Sequence, residues 1–267
     1  MKIAAQMYTL HDLIGSPDEL ARALEKVRAL GYEYVQASSG AFESLDGPAT
    51  RKLLDDAGLK CAASHRSLEA LRDVPALIDY HEALECKYTS LGGFGWGGVS
   101  QDAWLAFAEE FSEIARNAAK DGVRVGYHNH AHDFSPFGLA DQPEAISPKR
   151  TPMELLLDKC DPTVWFELDT YWVQAGGGDP VSWIERCAGR IPVLHAKDMT
   201  ASPDMKPVMC EVGAGNLNWK QILPAAQKAG VEYVCVERDH GDVDPYESLR
   251  ISRDNLEQML EGVLAPA

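Results

Sequence analysis

The chain is organised by short, mostly apolar runs that turn polar at their last residue. Val164-Trp165-Phe166-Glu167-Leu168-Asp169 and Val231-Glu232-Tyr233-Val234-Cys235-Val236-Glu237 stop on carboxylates. Val123-Arg124-Val125-Gly126-Tyr127-His128 and Arg190-Ile191-Pro192-Val193-Leu194-His195 stop on imidazoles. Runs rich in β-branched and aromatic residues, polar only at the tip, predict parallel strands covered on both faces, with their C-terminal ends gathered on a polar site. Between them lie helical patterns. Ser16-Pro17-Asp18-Glu19 reads as a helix start, Leu20, Leu24, Val27 and Leu30 recur at helical spacing, and Gly31 is the stop.

The alternation continues to the end of the chain. Strands are expected at about 2–8, 32–37, 59–65 and 86–91, and then in the runs ending at His128, Asp169, His195 and Glu237. Helices are expected at about 48–57, 67–84, 100–121, 152–159, 179–189, 219–229 and 245–260. A polar loop with Pro136, Pro143 and Pro148 precedes the helix at Pro152, and a loop with Gly213 and Gly215 precedes the one at Trp219. Eight strand–helix pairs predict an α/β fold of the (β/α)8 TIM barrel type, one domain over residues 1–267. A doubly wound sheet is the alternative, but no G-x-G-x-x-G follows the first strand.

Composition narrows the ligand. Acidic residues outnumber basic ones 41 to 25, giving a net charge of −16, which disfavours nucleic acid and anionic membranes and favours a small molecule. The six cysteines form no C-x-x-C pair, and Cys61 and Cys235 sit in apolar runs, as expected of buried thiols in a reducing compartment. With no signal-like start and no apolar run of about 18 residues, a cytoplasmic protein is expected. A homo-oligomer is compatible with the sequence.

The strand tips carry the chemistry. In a barrel, His128, Asp169, His195 and Glu237 occupy adjacent staves and face one point. Two nitrogens and two carboxylates suit one divalent ion of Mn, Co, Fe or Zn better than Mg, which prefers oxygen alone. Singly, each has a plainer explanation, such as Asp169 capping the next helix. Around this set, His65 ends the third strand, and His130 shares a face with His128. Lys197 is a candidate to polarise an oxyanion, unless it pairs with Asp198 or Glu167. Trp96 and Trp172 lie in tip loops where an indole face can stack on a ligand, whereas Trp104, Trp183 and Trp219 fall at helical packing positions. Arg238-Asp239 is placed either to reach substrate or to pair at the rim. Gly213 and Gly215 are weak candidates for a phosphate cradle.

Tyr127-His128-Asn129-His130, Phe166-Glu167-Leu168-Asp169-Thr170-Tyr171-Trp172, Leu194-His195-Ala196-Lys197-Asp198, Glu211-Val212-Gly213-Ala214-Gly215 and Val236-Glu237-Arg238-Asp239 together resemble the sugar phosphate isomerase/epimerase family, with its xylose isomerase-like TIM barrel. The resemblance covers nearly the whole chain. It implies a divalent-metal-dependent isomerase or epimerase acting on a sugar or keto-sugar through an enediolate, with Asp169, His195 and Glu237 as metal ligands. It also implies Glu237 as first candidate base, His130 as second and Lys197 as a catalytic residue, with His65, Trp96, Trp172 and Arg238 holding substrate. The family's fifth-strand ligand is a Glu, where this chain has His128; Asp133 is a candidate replacement. With one opposed carboxylate replaced, a lyase reaction (keto-inositol dehydration or β-elimination from a 3-keto-glycoside) becomes the alternative. A metalloendonuclease on the same barrel would need a basic face, and a sugar-binding barrel would need no metal.

Overall fold

The computed structural model describes residues 1–138 and 150–264, apart from the side chains of residues 263 and 264. Pro143 and Pro148 of the polar loop lie outside the described residues. Eight parallel strands close a barrel: β1 (Lys2–Gln6), β2 (Tyr34–Ala37), β3 (Lys60–His65), β4 (Tyr88–Leu91), β5 (Arg124–His128), β6 (Trp165–Asp169), β7 (Val193–Ala196) and, after a hairpin of β8 (Asp198–Ala201) and β9 (Pro207–Cys210), β10 (Tyr233–Val236). β10 pairs with both β7 and β1 and completes the ring. The TIM barrel expected from the alternation is the fold observed.

The outer layer is α1 (Pro17–Ala29), α2 (Gly47–Ala57), α3 (Leu68–Arg72), α4 (Val74–Leu84), α5 (Gln101–Ala119), α6 (Pro152–Lys159), α7 (Thr170–Ala175), α8 (Pro180–Arg186), α9 (Trp219–Ala229) and α10 (Pro245–Leu264). The longer ones bury an apolar stripe, as Leu20, Ala23, Leu24 and Val27 do from α1. Ser16 and Glu19 cap α1 reciprocally. α2 and α9 end on Gly58 and Gly230 at φ 71° and 90°, a left-handed conformation that glycine adopts without a Cβ penalty and that turns the chain into the next strand.

The expected elements needed four adjustments. The first strand stops at Gln6, and Met7–Leu13 forms 3-10 turns. The helix expected over 67–84 is two, because Asp73 leaves the helical region (ψ 72°) and caps α4, whose first turn carries Pro75. A further short helix, α7, follows Asp169 directly, ahead of the expected one, which begins at Pro180 as α8. Part of the loop after His195 is the β8–β9 hairpin, whose antiparallel pairs run from Asp198↔Cys210 to Ala201↔Pro207.

Register then positions the polar tips. Asp169 lies beside His195, His128 beside Glu167, and His65 beside Ser90.

Candidate metal centre

His128, Asp169, His195 and Glu237 arrive from four neighbouring strands, and all are buried. One ligand atom from each falls in a cluster whose members lie within 4.8 Å of one another. His128 Nε2 is 3.6 Å from Asp169 Oδ2, and His195 Nδ1 is 4.0 Å from that oxygen and 3.0 Å from Glu237 Oε2. Ligands bonded at about 2.0–2.2 Å to a tetrahedral ion sit about 3.4 Å apart, so the four atoms are close to the edges of a coordination polyhedron.

The unsatisfied groups point the same way. Both ring nitrogens of His128 are buried without a hydrogen-bond partner, and Asp169 Oδ2 accepts none. Asp169 Oδ1 caps α7 through the Trp172 N–H at 2.9 Å, so the capping role leaves Oδ2 facing the cluster, where Lys197 Nζ lies 3.1 Å away. An orphaned buried imidazole costs about 1–3 kcal/mol, which coordination would offset. Burial, then the neighbouring His195, lowers the basicity of His128 and keeps it in the neutral, ligand-competent form. Burial opposes charge on His195, but Glu167 and Glu237 outweigh it and push the imidazole up to about 10. Two nitrogens and two carboxylate oxygens fit a divalent transition metal.

Lys197 is buried beside the cluster. Its Nζ lies 3.1 Å from Asp169 Oδ2, 2.8 Å from Glu237 Oε2 and 2.7 Å from Asp239 Oδ1. These three carboxylates outweigh burial and hold it above the ordinary lysine range. It pairs with neither Asp198 nor Glu167. Asp198 turns away and collects the N–H groups of Gly213, Gly215 and Leu217 and the Trp219 indole N–H. The two glycine amides are thus spent on a carboxylate, which excludes the phosphate cradle.

Three further expectations are corrected. Arg238 does not line the cavity: its guanidinium is held by Glu211, Ser248 and the carbonyls of His240 and Val243. Asp133 is not the fifth-strand ligand, because its oxygens accept from Tyr127 Oη at 3.0 Å and His130 N–H at 2.7 Å. Trp172 is carried by α7 and not by a loop, and it is not among the residues lining the cavity; its ring is 5.4 Å from that of His130 and 5.4 Å from Lys197 Nζ.

A cavity of about 660 Å³ opens over the centre, lined by His65, Trp96, His130, Lys197, Glu237 and Asp239 among others. Trp96 is 62% exposed, with its ring 4.6 Å from that of His130. Burial, then His128 and Lys197, lowers the basicity of His130 strongly. Glu167 was missed as a functional residue. It is fully buried and accepts from Gln36 Nε2 at 2.7 Å, His65 Nε2 at 2.6 Å and Ser90 Oγ at 2.6 Å. The signal was present: Glu167 and Asp169 are two apart on one strand and therefore share a face. Asp239, left between reaching substrate and pairing at the rim, lines the cavity and pairs with Lys197, a contact that depends on a loop path.

The chain belongs to the xylose isomerase-like TIM barrel family, whose model matches residues 24–261. An inosose dehydratase of Geobacillus kaustophilus (strain HTA426) is 28% identical over 213 residues, 74% of this chain and 68% of the relative. A sugar phosphate isomerase/epimerase of Parabacteroides distasonis ATCC 8503 superposes with a TM-score of 0.76 at 24% identity, covering 96% of this chain and 93% of that one. A xylose isomerase-like TIM barrel protein of Mycobacterium smegmatis, solved in complex with magnesium, gives 0.74 at 17%, covering 99% and 98%. Among the described residues, no helix is long and apolar enough to cross a membrane.

Proposed function

We propose that this protein is a divalent-metal-dependent enzyme that removes the proton beside the carbonyl of a keto-sugar, and that it is a lyase, expelling a β leaving group. His128, Asp169, His195 and Glu237 would hold the ion. When bound there, a divalent ion supplies Lewis acidity toward a carbonyl oxygen and so acidifies the neighbouring C–H. Glu237, which lines the cavity, is the first candidate to take that proton. Lys197, 2.8 Å from Glu237, fixes the carboxylate and balances its charge. His130, whose basicity burial, His128 and Lys197 lower, is the second candidate and also a hydrogen-bond partner for substrate. His65 and Trp96 line the same space and suit the hydroxyls and C–H face of a sugar ring.

The observation that carries the lyase reading is the fifth strand. A pair of opposed carboxylates would serve proton removal on one face and return on the other. Here His128 occupies one of those places, and Asp133 is committed elsewhere. Elimination needs only one base and a leaving group. The 28% identity to an inosose dehydratase supports the same outcome.

The second reading is the isomerase or epimerase first implied by the family resemblance, supported by structural relatives such as that of Parabacteroides distasonis. It shares the first proton transfer and requires an imidazole to complete the second. Metal ion preference follows the donor set, with Mn, Co, Fe or Zn ahead of Mg, although one relative was solved with magnesium.

The deciding experiment incubates metal-loaded protein in heavy water with keto-inositols, 3-keto-glycosides and simple ketoses, followed by NMR. Release of water or an aglycone, with an unsaturated ketone formed, supports the lyase. Deuterium at carbon in an isomer or in recovered substrate, without release, supports the second reading. Neither result across the panel would leave a sugar-binding barrel.

A further inference from the structure

We infer that Glu167 fixes the tautomers of two histidines at once, so that His195 presents Nδ1 to the metal cluster and His65 presents Nδ1 to the cavity as a hydrogen-bond acceptor. The assignment follows from counting donors. An ionised carboxylate only accepts, so each of its three close partners must donate: the Gln36 amide NH2, the Ser90 hydroxyl and the His65 Nε2–H. Because the Gln36 NH2 is turned to Glu167, its Oε1 faces His195 Nε2 at 2.7 Å and must accept a proton from it. Glu167 Oε1 lies 3.2 Å from the same nitrogen and favours the same proton. Both imidazoles therefore carry hydrogen on Nε2.

The consequence differs for the two rings. For His195, Nδ1 is the atom beside Glu237 and Asp169. Without metal it donates to Glu237 Oε2 at 3.0 Å, and because Nε2 is held by Gln36 it is the Nδ1 hydrogen that leaves to free a lone pair where the ion would sit. A metal-ligating histidine whose other nitrogen is held by a carboxylate or amide oxygen is oriented before the metal arrives. For His65, Nδ1 has no hydrogen-bond partner among the described residues, and the ring lines the cavity. A ring lone pair there receives a substrate hydroxyl and repels carbonyl and phosphate oxygens. His65 thus selects for a sugar hydroxyl next to the metal cluster. The tautomers rest on the hydrogen bonds alone; the hydroxyl preference rests on the proposed sugar function. Glu167 is a positioning residue, acting through its two histidines.

The sharpest perturbation is Glu167→Gln, which keeps shape but turns one acceptor into a donor. If the new NH2 faces Gln36, that amide must flip, offering its own NH2 to His195, taking the hydrogen off Nε2 and leaving it on Nδ1 alone. If it faces His65, that ring must move its hydrogen to Nδ1. One of the two tautomers has to change.

The test is NMR of protein carrying ¹⁵N-histidine, metal-free and with Zn²⁺, alongside Zn²⁺ affinity measured against a chromophoric chelator. Wild-type protein should show His65 protonated on Nε2 in both states, and Zn-loaded His195 protonated on Nε2. In Glu167→Gln one ring should switch, and if that ring is His195, Zn²⁺ should bind about 10- to 100-fold more weakly. Hydrogen on His65 Nδ1 in the wild type would overturn the inference without recourse to any variant. So would unchanged tautomers in folded Glu167→Gln. Two Zn²⁺ per chain, one lost in the variant, would make Glu167 a ligand and also overturn it. Failure of the wild type to bind Zn²⁺ would count against the metal reading, while the His65 tautomer still decides the inference.

Discussion

The two ends of the barrel are built from the same strands under opposite rules. At the N-terminal end, Tyr34, Tyr88, Trp165 and Tyr233 pack with Ala4, Ala62, Val193 and Cys235. Polar groups there stay at the rim: Lys2 Nζ lies 4.9 Å from the Tyr34 ring and 5.3 Å from that of Tyr233, and Glu232 meets Tyr88 Oη at 2.5 Å. At the C-terminal end, a few residues further along, Glu167, Asp169, His195, Lys197 and Glu237 are buried against one another. Removing apolar surface from water stabilises the first end. The second costs desolvation that ion pairs only partly return. The comparison locates stability at the base and chemistry at the mouth, and it can be broken from either side.

The largest expected effect is at the base. Trp165 is fully buried, edge-on to Tyr88, with its indole N–H on the Arg124 carbonyl at 2.9 Å. Trp165→Ala should lower unfolding free energy by about 3–5 kcal/mol, read from urea denaturation, while the metal content per folded chain stays at the wild-type value. A loss of metal in that variant would show that the two ends are coupled.

At the mouth, ligand binding should do what packing does at the base. Zn²⁺ at a free concentration one hundred times its dissociation constant should stabilise wild-type protein by about 2.7 kcal/mol. A chelator should reverse the gain, and both His195→Ala and His128→Ala should abolish it. Thermal unfolding with and without metal, together with elemental analysis, measures this. If metal persisted in His128→Ala but not in His195→Ala, His128 would be removed from the ligand set.

Asp133 gives the mouth a pH signature. Burial raises its carboxyl to about 6, with His132 and the His130 N–H opposing. A group raised above its unfolded value contributes stability that is complete below about pH 4. That contribution is lost as pH rises through about 6. Between those limits wild-type protein should lose on the order of 2 kcal/mol relative to Asp133→Asn, seen as converging and then crossing denaturation curves. A flat difference across pH 4–7 would contradict the buried-acid reading.

These contrasts also explain which features could be read in advance. The strand tips were legible because a parallel strand is apolar except at its site-facing end, and Asp169, His195 and Glu237 obey that rule. Arg238 was misjudged by adjacency to Glu237; period-two alternation sends neighbouring side chains to opposite faces, and Arg238 goes outward to Glu211. The role of Asp198 was hidden because its partners, Gly213 to Trp219, come from a loop whose path no local pattern encodes. The β8–β9 hairpin was missed because Asp198–Ala201 is not the apolar run that marked the equally short barrel strands, and Pro207–Cys210 pairs only with it. Glu167 was visible by its spacing from Asp169, but its partners Gln36, His65 and Ser90 come from three other strands, and that convergence exists only once the barrel closes.

The smallest expected effect sharpens the comparison by its sign. Glu232, at the base, is also displaced from its ordinary value, but downward: burial opposes the shift, and the Tyr88 hydroxyl and Lys87 outweigh it. A carboxyl lowered on folding contributes stability above its unfolded value of about 4.3. That contribution is lost as pH falls through the folded value, the reverse of Asp133. Its side chain is 45% exposed, so screening should hold the contribution below about 1 kcal/mol. Glu232→Gln should therefore cost little at neutral pH and nothing in acid, whereas Asp133→Asn should gain stability relative to wild type as pH rises. Denaturation of the two variants across the same pH series tests both signs together. If Glu232→Gln instead gained stability relative to wild type with rising pH, the base would be carrying an unfavourable buried charge of the kind assigned here only to the mouth.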